Sequence, residues 1–424
     1  MADVRPDRAN LLGMPRRELA GFFTDLGEKP YRATQVMKWL YRAGTADFDA
    51  MTDIGKALRA RLKEVAEIRA PELNLVDRAG DGVVKWLASV GQSRAVETVL
   101  IPESPQPGSA RGHPSQEESP QPGSARGHPS QEESPQPGSA RGHPSQNEYP
   151  AKRNTLCISV QVGCSLDCSF CATGKQGFSG NLTRAEIVGQ VWRAAAESST
   201  EGRRITNVVF MGMGEPLLNF DATMDAADVF MDDLGFGISK RRVTISTAGV
   251  VPGIYDLADR SDVSLAVSLH AARDELRNRL VPINRKYPIA ELLAACRYYL
   301  ARVGDRRPIT FEYTLIEGVN DTLADARDLV ALLRDWRCMV NLIPFNPFPV
   351  TGGLPTYRRP SAARVAAFQR ALLDGGLVAM LRTTRGDDIA AACGQLTGDF
   401  DDRTRRRARY GLPEAVRFVD RGAA

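Results

Sequence analysis

Apolar residues recur at helical spacing through the first seventy positions. The segments PRRELAGFFTDLG, YRATQVMKWLYRAG, with Val36, Met37, Leu40 and Tyr41 on one face, and IGKALRARLKEVAEI each predict a helix. From Leu73 to Ile101 the pattern changes to short runs, VVKWLASV and AVETVLIP, punctuated at Gly80, Gly82 and Gly91, which predict strands. Beyond residue 150 strand-like runs (TLCISVQV, ITNVVFMG, RRVTISTA, VSLAVSLH, PITFEYTLI, MVNLIPFN, LVAMLRT) alternate with helix-like ones. The latter are TRAEIVGQVWRAAAES, ATMDAADVFMDDL, IAELLAACRYYLARV, TLADARDLVALLRDW and SAARVAAFQRALLD. About six β-then-α units predict an α/β fold, a parallel sheet with helices outside it. Closed as a full or partial (βα) barrel, such a sheet gathers its chemistry at the carboxyl ends of the strands. A small α+β domain precedes it. The division expected is 1–96 for the N-terminal accessory domain, 97–149 for a connecting strand and an insert, 150–388 for the barrel and 389–424 for a C-terminal segment.

The insert is a 15-residue unit, SPQPGSARGHPSQEE, repeated three times over 104–148 with the last copy ending QNE. Almost devoid of apolar side chains, it cannot offset its ordering entropy and reads as a mobile surface loop. Three of the four histidines (His113, His128, His143) lie in it, one per copy. That regularity follows from duplication of a tolerated loop, and the co-ligands of a metal site are missing.

The chain holds 55 Lys and Arg against 51 Asp and Glu, so its charge permits a nucleic-acid partner without demanding one. Only nine of the basic residues are Lys; Arg, with a planar fork for phosphate and a face for stacking, dominates. The cluster RTRRRARY, 403–410, reads as a phosphate-holding tail or a solvated charge run. No apolar run reaches membrane-spanning length, and MADVRPDRAN is charged where a secretory signal is apolar, so a cytoplasmic protein is expected.

Seven cysteines, three of them crowded, do not fit an extracellular disulfide framework. In VGCSLDCSFCATG, Cys164, Cys168 and Cys171 form a CxxxCxxC spacing just after the first barrel strand. Three soft thiolates on one tight loop suit an iron-sulfur cluster with one iron left open, whereas structural zinc would bring a fourth ligand nearby. In VVFMGMGEPLLN, Gly212 and Gly214 precede Glu215 at the next strand end. The third glycine of a dinucleotide fingerprint is replaced by Leu217, and in ATGKQG Gln176 stands where a phosphate loop has Ser or Thr. What remains is a glycine turn through which backbone approaches a ligand.

The cysteine spacing followed by βα units resembles the radical S-adenosylmethionine superfamily. The ordered segments TLCISVQVGCSLDCSFCATG, MGMGEPLLN, RRVTISTAGVVP, VSLAVSLHA, LIPFNPFP and RGDDIAAACGQL resemble, more specifically, the dual-specificity methyltransferases that modify carbon 2 of an adenine in 23S rRNA and in tRNA. The triple repeat departs from that family's pattern. The resemblance implies one 4Fe-4S cluster on Cys164, Cys168 and Cys171. It implies S-adenosylmethionine, two molecules per turnover, held by Gly214, Glu215, Ser246, Ser268, Leu269, His270 and Asn346. It further implies that Cys393 is methylated and then donates its carbon, that Cys157 forms a disulfide with Cys393 to release product, and that Glu97 is a catalytic carboxylate. A flavodoxin or ferredoxin system would supply electrons.

Taken alone, His270 on an apolar strand reads as a core histidine, Ser246 and Ser268 as strand-end hydroxyls, Glu97 as a solvated strand residue and Cys157, Cys296 and Cys338 as small core residues. Cys393 stands apart, in a polar, glycine-punctuated segment after the last strand. The chemistry accounts for a paired-thiol requirement: adenine carbon 2 is too electron-poor to attack a sulfonium methyl, whereas a thiolate can accept one. Methylation at carbon 8 and radical chemistry on a small molecule are the competing readings.

Overall fold

The computed structural model describes residues 8–91, 94–103, 153–304, 307–348 and 356–410. The triple repeat, with its three histidines, lies outside them. One ten-stranded sheet runs through the molecule. Its strands are β1 (Glu72–Arg78), β2 (Val84–Val90), β3 (Arg94–Pro102), β4 (Asn154–Cys157), β5 (Asn207–Phe210), β6 (Val243–Thr247), β7 (Ser264–Ser268), β8 (Ile309–Leu315), β9 (Cys338–Pro344) and β10 (Val378–Leu381). They lie side by side in chain order.

From β4 to β10 every pairing is parallel, six in all, which bears out the six βα units. Helices Arg184–Thr200, Phe220–Met231, Val251–Arg260, Ile289–Val303, Leu323–Leu333 and Ala362–Asp374 make the crossovers. Local chemistry fixes their starts. Thr183 with Glu186 and Thr322 with Asp325 form reciprocal capping boxes that satisfy the first free amides of two helices. At Ile289–Val303 the end is set by Gly304, whose φ of 60° closes the helix in a left-handed cap. Among the described residues β10 and β1 do not pair, so the barrel is partial.

Strands β1 to β3 pair antiparallel with one another, and β3 pairs antiparallel with β4. They therefore extend the main sheet, and the expected boundary between residues 96 and 97 falls inside β3. The reason is packing: Val84, Trp86, Val96, Val99 and Leu100 join the same buried core as the parallel strands. Only the helical part stands apart. Helices Arg16–Asp25, Arg32–Met37 and Lys56–Val65 close over their own core of Leu19, Phe23, Val36, Met37, Leu40 and Leu62. It is docked on the barrel by polar ties: the Trp192 indole N–H donates to the Leu40 carbonyl at 2.8 Å, and Arg184 pairs with Glu18.

The run TLCISVQV, expected as one strand, breaks after Cys157. At the break the Gln190 side chain satisfies both backbone groups of Ser159, accepting from its N–H at 2.9 Å and donating to its carbonyl at 2.9 Å. Freed from the sheet, Gln161–Gly163 pairs instead with Phe178–Asn181. This bend steers the chain out of β4 and into the cysteine loop.

The ends flanking the insert are already joined, because β3 and β4 are antiparallel neighbours and Glu103 N–H donates to the Arg153 carbonyl at 2.7 Å. Replacing 104–152 by a four-residue turn should therefore keep the fold and raise stability by about 2 kcal/mol through lower loop-closure entropy. Denaturant titration of the two proteins checks this; a destabilised deletion would show that the insert contributes contacts.

Candidate active site

At the carboxyl ends of the parallel strands lies a cavity open to solvent. It is lined by Cys164, Cys168 and Cys171, by Gly214, Glu215, Ser246, Ser268 and His270, and by Asn346 and Cys393. Ten of the thirteen residues singled out from sequence thus share one space. Glu97, Cys157 and Leu269 are buried beside it rather than lining it.

The cysteine loop starts at Gly163, whose φ of 75° and close approach to the Gly177 carbonyl, 2.2 Å from where a Cβ would stand, leave no room for a side chain. Burial pushes the Cys168 thiol up to about 12, with the nearby Cys171 charge adding to it. Cys164 is raised well above the usual thiol range by burial and then by Cys168 and Cys171. Three thiolates crowded in a dry site need cationic compensation, which the irons of a cluster would supply. Amide N–H groups already point at the sulfurs, from Leu166 to Cys164 and from Gly174 to Cys171. Among the described residues no three His, Cys, Asp or Glu side chains converge on a single-ion site. A cluster makes no such demand, since each thiolate binds its own iron, and the donor set fits one.

Glu215 is buried, and its carboxylate accepts from the Ala248 N–H at 2.8 Å and the Leu217 N–H at 3.1 Å. Burial raises its pKa to about 7 despite these bonds. Gly214 before it has a φ of 100° and abuts the Gln161 side chain. His270 sits at φ 59°, a left-handed conformation that is strained for a residue with a Cβ. Its Nδ1 accepts from the Thr314 N–H at 2.9 Å, while burial and then Arg277 lower its pKa to about 3. The imidazole is neutral, with Nε2 carrying the proton, and its ring meets that of Phe170 from the cysteine loop edge-on at 4.6 Å.

Arg277, unnoticed in sequence, is fully buried and donates to the carbonyls of Ala248 (2.7 Å), Ser268 (3.0 Å) and Leu269 (3.0 Å) and to Asn284 Oδ1 (2.7 Å). Burial lowers its pKa to about 10, so it stays charged. Glu312 and Arg382 also line the cavity and were not foreseen. A carboxylate between Phe311 and Tyr313, the one charged residue of its strand, was the available signal for the first.

The Cys393 segment is tied from several sides. Asn346 Nδ2 donates to the Cys393 carbonyl at 3.2 Å, Ala172 N–H to the Gly394 carbonyl at 2.8 Å and Thr173 Oγ1 to the Leu396 carbonyl at 2.6 Å. Glu97 joins them: one carboxylate oxygen accepts from the Thr397 N–H at 2.9 Å and the other pairs with Lys85 at 3.1 Å. Cys393 is near enough to act on the Cys157 thiol, and both thiols act on the Arg382 guanidinium. Burial, followed by Cys393, pushes Cys157 up to about 12. All seven cysteines are free thiols, so the disulfide implied by resemblance is not formed. The Arg-rich tail divides: Arg403, Arg405 and Arg409 are exposed, but Arg406 turns inward against the cysteine loop and is unavailable to phosphate.

Residues 9–68 match the ribosomal RNA large subunit methyltransferase N-terminal domain, and 158–330 match the radical SAM superfamily. The dual-specificity RNA methyltransferase RlmN of Marinobacter nauticus is 51% identical over 95% of this chain and 96% of its own length. That of Marinomonas sp. is 49% identical over 97% of this chain and 98% of its own. The chain belongs to this radical SAM methyltransferase family. A solved radical SAM methyltransferase from Sphaerobacter thermophilus superposes with a TM-score of 0.74 at 39% identity, covering 92% of this chain and 99% of that one. Membership of the family brings S-adenosylmethionine and a 4Fe-4S cluster, and the cavity offers the donors for both.

Glu215 generates a pH prediction for the ligand-free protein. Its ordinary pKa of 4.5 rises to about 7 on folding, so the folded state holds the proton more tightly across that interval. The stabilisation is fully present below pH about 4.5 and is lost as pH rises through about 7, by at most about 3 kcal/mol. Glu215→Gln should flatten this decline in a series of chemical melts from pH 4.5 to 8; an unchanged slope would refute the raised pKa.

Proposed function

We propose that the protein methylates carbon 2 of an adenine in 23S rRNA and in tRNA, with Cys393 as carrier of the transferred carbon. The supporting observation is the seat of Cys393: it lines the same cavity as Cys164, Cys168 and Cys171, and its charge acts on the Cys157 thiol at the end of β4. Cys164, Cys168 and Cys171 would hold the cluster. Gly214, Glu215, Ser246, Ser268, Leu269, His270 and Asn346 would hold S-adenosylmethionine. Bound there, two molecules per turnover supply a methyl group and a carbon-centred radical, with electrons from a flavodoxin or ferredoxin system.

The chain's own residues do the rest. Arg382 lines the cavity with Cys393, whose sulfur accepts the methyl group as a nucleophile. Once the methyl-derived carbon has bonded to the ring, RNA and Cys393 are covalently joined. The adduct loses its ring proton to Glu97 or Cys157, both made more basic by burial, and one electron to the electron-transfer system, which pairs its electrons. Attack of the Cys157 sulfur on the Cys393 sulfur then forms an S–S bond and breaks the S–C bond, whose electron pair stays on the carbon and takes up a proton, leaving the methylated base. His270, held neutral, places a fixed N–H donor in the cavity without adding charge. The helical domain over 9–68 is the proposed RNA-holding unit, and residues 389–410 the carrier segment. Among the described residues no helix is long and apolar enough to cross a membrane, consistent with a cytoplasmic enzyme.

Cys393→Ala should be inert with no RNA attached, since no thiol accepts the methyl group. Cys157→Ala should stall with RNA bound covalently, visible as a shifted band on a denaturing gel. Cys164→Ala should lose cluster iron, whereas Cys296→Ala and Cys338→Ala should retain it. Absence of an adduct in Cys157→Ala, under conditions where the parent protein turns over, would overturn the division between the two thiols.

A further inference from the structure

Arg406 follows every strand of the sheet in the chain, yet its guanidinium is inserted into the loop that bears Cys164, Cys168 and Cys171. Nη1 donates to the carbonyls of Cys164 (3.0 Å), Leu166 (2.8 Å) and Gly174 (3.1 Å), and Nη2 to that of Ser165 (2.6 Å). Four backbone acceptors of one loop share one cation. Hydrogen bonds from a charged donor are about twice as strong as neutral ones, and Arg, unlike Lys, spreads them over a planar fork.

The flanking residues dock the arginine from both sides. Arg403 N–H donates to the Phe178 carbonyl at 3.0 Å, and Phe178 N–H donates to Asp402 Oδ1 at 3.3 Å. Tyr410 Oη donates to Asp167 Oδ2 at 2.6 Å, and Lys175, paired with Asp167 at 2.6 Å, lies 4.7 Å from the Tyr410 ring centre. The arginine is thus anchored to the loop rather than resting on it.

A trans peptide directs its N–H opposite its carbonyl. The Ser165 carbonyl faces Arg406, so the amide N–H of the same peptide plane, that of Leu166, faces away from it, where it favours the charged form of Cys164. A guanidinium, one peptide plane and one thiolate stand in line. Hydrogen bonds in such a chain polarise one another, and N–H bonds to a ligating sulfur raise a cluster's reduction potential.

We propose that Arg406 is a positioning residue for the iron-sulfur centre: it braces the 164–174 loop through four carbonyls and polarises the Ser165–Leu166 amide, which raises the potential at which the cluster accepts its electron. The electronic half rests on Cys164 being a cluster ligand; the brace does not. A tail variant therefore changes how easily the centre is reduced, not only whether it assembles.

The test uses the full-length chain with Arg406→Gln and Arg406→Lys. In cluster-free protein, hydrogen exchange of the 164–176 amides should be at least about tenfold faster in both variants, with the N-terminal helices unchanged as internal control. After anaerobic reconstitution, a redox titration followed by electron paramagnetic resonance should show Arg406→Gln about tenfold harder to reduce, about 59 mV for one electron. Arg406→Lys, which keeps the charge but not the fork, should recover part of that shift without recovering amide protection. Unchanged exchange and potential in Arg406→Gln would overturn the proposal, and faster exchange with an unchanged potential would overturn the polarisation. Full iron content in Cys164→Ala would instead overturn the ligand reading, leaving the metal-free exchange result to judge the brace.

Discussion

A charged group removed from water must find a partner for every donor, and the strand ends of this protein are organised around that requirement at Arg277. Its guanidinium is wholly buried and meets the carbonyls at the ends of β6 and β7 together with Asn284. Those same strand ends carry Ser246, Ser268 and His270. Because each acceptor would cost free energy if left unpaired, the arginine locks the two ends in register and with them one wall of the cavity. The neutral state of His270 follows from the same cation, since burial and the neighbouring positive charge both disfavour a second. The left-handed backbone of His270 is held by partners on both its backbone and its ring: its N–H reaches the Glu312 carbonyl and its own carbonyl accepts from Asn320.

The parallel sheet was legible because both of its faces are buried, so its strands read as apolar runs separated by helical periodicity. Val208, Val243, Ile245, Leu265 and Val267, all fully or nearly fully buried, carried that signal. The helices Val251–Arg260 and Asp274–Leu280 went unseen, the first because it opens on Val and Pro, the second because ARDELRNRL looks like solvated surface. Three arginines in one such run cannot be told apart by composition, yet Arg277 is buried. The break after Cys157 was hidden for a related reason: its cause is the Gln190 side chain, distant in sequence.

Site residues divide along the same line. Motifs local in sequence, the three cysteines and the Gly214–Glu215 turn, were found where expected because their spacing is itself the geometry. Glu97 and Cys157 rested on resemblance, since strands far apart in the chain must pair before they become neighbours, whereas Cys393 also stood out by its polar, glycine-punctuated setting. Lys85, Glu312, Arg382 and Arg406 act through contacts that no periodicity records. The antiparallel strands β1 to β3 show how a boundary drawn from a change in pattern can miss continuity of hydrogen bonding, which ignores the change from helix to strand before it.

The segment RGDDIAAACGQL does more than present a thiol. Arg385 and Gly386 bind Asp81 in the turn between β1 and β2, Asp388 accepts from Gly80, and Asp399 pairs with Ala95 on β3. Leaving β10 at one edge of the open sheet, the chain crosses the mouth and fastens to the other edge, a strap across an unclosed barrel. During synthesis this strap emerges after every strand it spans. The sheet and cysteine loop are synthesised first, and the segment bearing Cys393, the proposed carrier, comes last of the parts that line the cavity.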